Sequence, residues 1–359
     1  LFKFKVMKIL HFKFVVFFLA FQFTVLEAQE YPLNEEVKIY FDKDWRPVEI
    51  KDSASYYRLI TFKEKNIPLG IVSDYYLNGT LQSKFYANYI GVNNQGIDSV
   101  LSNGPSYYYN SLGNKNIERN YVNGIQAGEE NYYYETGKIK SKSEWENDLE
   151  QGQVIAYYES GEIQYTRNYV DGLRQGQNID YYKSGKNEYT QNYVDGLKQG
   201  QLIAYYESGE IQYTVNNVDG LQQGQLIAYY ESGEIEYTRN YVDDLSQGQE
   251  INYYKSGEIE YTLNYVDDLF QGQYISYYES GEVEATLYYV DDLKQGEEIQ
   301  YSKLGKITYS QNYFKGNPVG DKTIFYYESG EIQYTVNNVD GLQQGQNIGY
   351  YKSGEIEYT

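Results

Sequence analysis

Residues Tyr205–Gln225 read YYESGEIQYTVNNVDGLQQGQ, and the same string returns at Tyr326–Gln346. Looser copies fill the space around them. The glycine of the Ser-Gly pair stands at Gly161, Gly185, Gly209, Gly233, Gly257 and Gly281, a beat of 24 residues. A second glycine keeps the same beat at Gly152, Gly176, Gly200, Gly224, Gly248, Gly272 and Gly296. A fixed period of this size marks a repeat array, and an array overrides any domain count drawn from length.

Within one repeat, QLIAYY at 201–206 and IQYTVNNV at 211–218 are rich in β-branched and aromatic residues. Glu207-Ser208-Gly209 between them reads as a three-residue hairpin loop, a type I turn closed by a glycine at positive φ. That loop predicts pairing of Tyr206 with Glu210, Tyr205 with Ile211 and Ile203 with Tyr213. The recurrent Ile and Tyr then share one face, which a two-residue loop would scatter over both. Tyr206, Ala204, Gln212 and Thr214 fall on the other. The counterparts of Ala204 are Asp180, Asn252, Ser276 and Gln300, so this second face is expected to be wet. Asp219–Gly224 is turn chemistry. Each repeat is one hairpin, marginal alone and stabilised by its neighbours. The expected fold class is all-β, an elongated single-layer array of antiparallel β-hairpins.

The flanks are read against that beat. Met7 opens a stretch in which Lys8 and Lys13 precede the apolar run Phe14–Phe23, followed by the small Ala28. This predicts a secretory signal peptide over 1–28, with residues 1–6 upstream of the true start. The apolar run is short for a transmembrane helix. Residues 29–64 have strand-like runs without the glycine beat and are expected to form a degenerate capping unit. The array proper is expected over 65–359. Between Gly79 and Gly104 the spacing stretches, which predicts a polar loop insertion at 88–103. The chain opens on Leu1 and stops at Thr359 directly after a strand, the pattern of an open-ended gene fragment.

The string YYESGEIQYTRNYVDGLRQGQ at 157–177 resembles the MORN repeat, and more closely the MORN-variant repeats of bacterial YwqK-type proteins. FDKDWRP at 41–47, SASYYR at 53–58 and DYYLNGTLQSKF at 74–85 resemble the start of secreted Bacteroidetes members. The resemblance covers roughly 40–359. It implies an elongated array of hairpins and no catalytic residues. YwqK-type proteins are often labelled antitoxins, while a signal peptide argues for export. The chain departs from many relatives in placing Tyr and Ile where they place Trp, and in its Asp-Asp linkers.

The formal charge is −21. Loss of residues 1–28 would remove Lys3, Lys5, Lys8, Lys13 and Glu27, a net change of three that takes it to −24. His11 would go too, leaving no His and no Cys. That excludes His-based triads, thiol catalysis and His/Cys zinc sites, and disulfides with them. Carboxylates recur at hairpin tips as Glu207, Glu231, Glu279 and Glu328. Glycosidases use such groups in pairs, but a copied turn residue is the plainer reading, and no enzyme is expected. Asp243-Asp244, Asp267-Asp268 and Asp291-Asp292 lack the dense spacing of a calcium loop and read as turn formers. No cofactor or metal is expected. Nucleic acid and anionic membrane surfaces are poor partners for so acidic a chain. The two Trp, Trp45 and Trp145, are too few for cages of the choline-binding type.

One row remains as a candidate contact ladder: Tyr158, Tyr182, Tyr206, Tyr230, Tyr254, Tyr278, Tyr327 and Tyr351. Amphipathic rings suit a protein or glycan surface, and rings that merely cover one another are the alternative. The Tyr205-type row is expected to be structural. The function expected is a monomeric, exported, non-enzymatic scaffold, periplasmic or on the cell surface, that binds protein or glycan at a bacterial envelope. An antitoxin with one partner and a surface glycan-binding module are the alternatives.

Overall fold

The computed structural model describes residues 36–49, 51–64, 67–93, 96–339 and 342–359. The expected signal peptide and the start of the expected cap lie outside them.

The repeat is built from two turns of different kind. Strand Ile211–Val218 passes to strand Leu221–Tyr229 through Asp219-Gly220 alone, with Val218 opposite Leu221. Both turn residues have positive φ, +50° and +93°. This is the type I′ geometry whose twist matches that of the strands. At the other end Tyr206 N–H donates to the Glu210 carbonyl at 2.9 Å, and Gly209 N–H to the Tyr206 carbonyl at 2.9 Å. Gly209 has φ +105°. The three-residue loop expected from the sequence is therefore present.

The register beyond that loop differs from expectation. Tyr205 pairs with Ile211 as foreseen, but Ala204, not Ile203, then faces Tyr213. Gln212 is the extra residue of a β-bulge, and every residue after it moves to the opposite face. The bulge recurs between Asp180 and Tyr181, Ala228 and Tyr229, and Asn252 and Tyr253. Its physical benefit is visible in the partners. Tyr213 lies between the small Ala204 and Ala228, whereas Ile203 pairs with Thr214 on the other side.

The face expected to be wet is consequently the covered one. Ala204, Val215, Leu226 and Ala228 are buried. Leu202, Tyr213, Tyr237 and Tyr241 pack around the latter three. Rings laid over small neighbours do the covering: a Cβ placed on Gly349 would stand 2.2 Å from the ring of Tyr358. Polar side chains enter this row as well. Arg239 bonds Glu250 and Arg119 bonds Glu130, each carboxylate almost wholly buried. The opposite face is a ladder of β-branched pairs, Ile203 with Thr214, Ile227 with Thr238 and Ile251 with Thr262.

Among the described residues all strands belong to one antiparallel sheet in which strands close in sequence are close in space, as the sequence predicts. Strand Glu36–Phe41 pairs with Tyr56–Glu64, and this end holds a cluster of Ile60, Phe62, Val72, Phe85 and Ala87. The insertion at 88–103 is not a loop. Strands Leu81–Asn93 and Gly96–Tyr109 run through it and pair as far as Asn93 with Gly96. The added residues lengthen one hairpin, because continuing a ladder satisfies backbone groups that a polar loop would leave to water.

A Cβ on Gly209 would meet only the end of the Lys186 side chain, at 3.8 Å. The glycine is thus needed for its φ rather than for space. Gly209→Val is expected to cost about 1–3 kcal/mol, with protection from hydrogen exchange lost in the repeats that share this loop and kept in distant ones. Uniform loss along the array would contradict this.

Candidate functional site

Each repeat is tied to the next along both long edges of the sheet. On the Ser-Gly edge the ties are the tyrosines of the expected contact ladder. The hydroxyl of Tyr206 donates to the Tyr229 carbonyl at 2.7 Å. Tyr158, Tyr182, Tyr230, Tyr254, Tyr278 and Tyr327 reach the carbonyls of Tyr181, Tyr205, Tyr253, Tyr277, Tyr301 and Tyr350 in the same way. Tyr134, missed from the sequence, extends the ladder to the Tyr157 carbonyl. Tyr351 stands 49% exposed. Lysines reinforce this edge: Lys186 Nζ donates to the Ser208 carbonyl, and Lys255 lies 5.6 Å over the ring of Tyr230. The ladder hydroxyls are thus engaged in holding repeats together. Desolvation, then nearby carboxylates, push the phenol pKa of Tyr206 and Tyr182 upward.

On the Asp edge the ties are carboxylates. Asp219 Oδ1 accepts from Gln199 Nε2, and Asp171 Oδ1 accepts from Gln151 Nε2 at 2.7 Å. Where a second Asp replaces Gly220, as in Asp244 and Asp268, it also has positive φ. Its Oδ1 then accepts the backbone N–H of Gln222 or Ser246 at 2.6 Å. The Asp-Asp linkers therefore spend these carboxylate oxygens on the preceding repeat. Hairpin-tip Glu207, Glu231 and Glu279, on the Ser-Gly edge, stand exposed. The Asp edge carries an apolar row. Val170 and Leu173, Val194 and Leu197, Val218 and Leu221, Val242 and Leu245, Val266 and Leu269, and Val290 and Leu293 flank successive turns, each between 39% and 52% exposed.

The array is interrupted near its first strands. By register, Asp74 occupies the place of Ala204, Ser83 that of Tyr213, and Gln82 is the bulge residue. No ring covers this position from the strand itself. In its place Arg58 grips Asp74 through Nε at 2.6 Å and Nη2 at 3.1 Å, and Ser83 donates to Asp74 at 2.8 Å. Asp74 is 4% exposed. Trp45 arrives from the turn at 42–46. There Asp42 Oδ1 accepts from Asp44 N and Arg46 N, bonds that also lower the Asp42 pKa. Trp45 has φ +60° and stacks on Tyr56 at 4.8 Å and 6°. A cleft of about 380 Å³ opens among Trp45, Arg58, Asp74, Gln82, Tyr108 and Asn116. Part of the signal was in the sequence: Ser83 stands where most repeats carry Tyr, although Ser141 does the same, and Asp74 shares its residue type with Asp180.

Five segments match the MORN repeat variant. They are residues 126–147, 150–171, 222–243, 246–267 and 270–291. Each window runs from the start of one strand, round a Ser-Gly or Thr-Gly loop, to the Asn or Asp turn that ends the next. Among curated proteins, none matches this chain. Among solved structures, TcdB2-TccC3 is 14% identical with a TM-score of 0.18, over 85% of this chain and 19% of that one. The Photorhabdus luminescens Tc holotoxin pore is 15% identical with a TM-score of 0.17, over 85% and 18%. The chain spans about a fifth of the length of those proteins.

Two outcomes follow for the array. Changing Tyr182, Tyr206, Tyr230 and Tyr254 to Phe is expected to cost about 0.5–1.5 kcal/mol per hydroxyl, measured by urea melts, with the strand signal in circular dichroism retained. Alkali should act through the same groups. A phenol whose folded pKa is raised contributes stability in full below its unfolded value, near 10, and loses it as pH rises through the folded value. Ultraviolet titration should show a set of tyrosines ionising late, with unfolding above about pH 10.

Proposed function

We propose that this chain is a non-enzymatic repeat scaffold, exported, that binds protein or glycan at a bacterial cell envelope and works as a monomer. The observation that carries the reading is the Val–Leu row on the Asp edge. Apolar side chains this exposed are ordinary when single. Here they recur at every turn from Val170 to Leu293, so a partner that follows the edge meets the same contact at each repeat. Weak identical contacts add when one partner spans several. The covered tyrosine face and both sets of inter-repeat ties hold that row in line. Export is supported by the Met7–Ala28 reading, and the formal charge of −21 disfavours nucleic acid and anionic membrane as partners.

The test replaces Val194, Val218, Val242 and Val266 with Thr, and Leu197, Leu221, Leu245 and Leu269 with Gln. Surface changes of this kind are expected to cost little stability each, about 0.5 kcal/mol or less. Capture of envelope material from the producing cells should fall at least tenfold (about 1.4 kcal/mol), with the melting curve little changed. Undiminished capture overturns the role given to this row.

A further inference from the structure

The cleft beside Trp45 has the features of a small-molecule site rather than of a repeat surface. Its volume, about 380 Å³, lies within the range of ligand pockets, roughly 300–1,000 Å³. It exists because the repeat is broken at this place. Ser83 withdraws a ring, Asp74 and Arg58 bring a buried ion pair, and Trp45 is held over them by a backbone at φ +60°. Positive φ in a bulky residue costs energy and is kept where surrounding structure demands it.

We propose that this cleft binds a neutral pyranose saccharide, the end of a glycan or a short oligosaccharide. Four observations select that class. The charges that line the cleft, Arg58 and Asp74, are paired with each other at 2.6 Å, so the cleft offers no net charge to an ionic ligand. Its aromatic lining includes Trp45, Tyr76, Tyr108 and Tyr109, and such rings pack against the C–H face of a sugar while their polar edges stay wet. Gln82 and Asn116 stand at its wall, and planar amides both donate to and accept from hydroxyls. Finally, the Oε1 of Gln82 is buried and has no hydrogen-bond partner. A buried acceptor left unpaired is costly, and a turn of the Gln82 amide into the cleft it lines would let a ligand hydroxyl satisfy it.

The inference rests on the envelope-scaffold reading and narrows one of its partners to a sugar, at a place distant in sequence from the Val–Leu row. The full chain is titrated with maltose, cellobiose and N,N′-diacetylchitobiose, followed by tryptophan fluorescence and by heat. At least one should bind saturably. Gln82→Met, which keeps the length of the side chain and removes the buried oxygen, and Asn116→Ala should each weaken binding at least tenfold. Trp45→Phe should abolish the fluorescence change. Melting curves of all three variants, run alongside, identify any that fail to fold, and Gln82→Met carries the test if the others do. Binding of none of the sugars, or binding unaltered by Gln82→Met, overturns the proposal. So does a protein partner captured through the cleft and not displaced by sugar. Envelope capture that survives Gln82→Met but fails in the Val–Leu variant would remove the saccharide site and leave the scaffold reading standing.

Discussion

A sheet one strand thick has no second layer to bury its apolar row, so it must cover itself. The bulge at Gln212 and its equivalents makes that possible. It turns Tyr213 and Val215 onto the side of Ala204 and Leu202. A tyrosine ring can then lie down beside an alanine and roof the central row, until Val215 is 1% exposed. Without the extra residue, Tyr213 would oppose Ile203 and the small residues would sit on the far face with nothing to cover. The buried pairs Arg239–Glu250 and Arg119–Glu130 belong to the same row. They depend on the same roof, which weakens solvent screening around them.

Because strands pair with near neighbours in sequence, cohesion is local, and the ties between repeats decide how stiff the array is. Two chemistries supply them. On one edge a phenol donates to a carbonyl of the next repeat. On the other a carboxylate accepts from the repeat before. Both act at turns, where strand pairing leaves backbone groups free. The Asp-Asp linkers show the exchange plainly. Asp244 takes up a left-handed conformation that glycine holds at Gly220, and its side chain gains the Gln222 amide.

Features that could bind sit where this system either repeats or fails. The Val–Leu row repeats with the turns. The Trp45 cleft lies where Ser83 supplies no ring and Arg58 and Trp45 come in beside Asp74. In a copied sequence the departures carry more information about a specific site than the consensus does, since a consensus residue is already accounted for by the fold.

The repeat, the hairpin, the three-residue loop and the all-β class were legible in the sequence, because glycine spacing and β-branched content act locally through backbone φ and strand preference. The face assignment was not. One bulge residue, Gln212, reverses it, and nothing in the letters IQYT marks a bulge, which is defined only by the pairing of Tyr205 with Ile211 and of Ala204 with Tyr213 on the partner strand. The hydroxyl ties of Tyr206 and its kin were equally hidden, since they join residues 23 apart that only stacked repeats bring together. The cleft was less legible: Ser83 departs from the Tyr that most repeats carry, but Asp74 matches Asp180, and Trp45 is delivered to them by pairing of the first strands. Tertiary structure decided these points because each depends on what a neighbouring strand presents, which the local sequence does not contain.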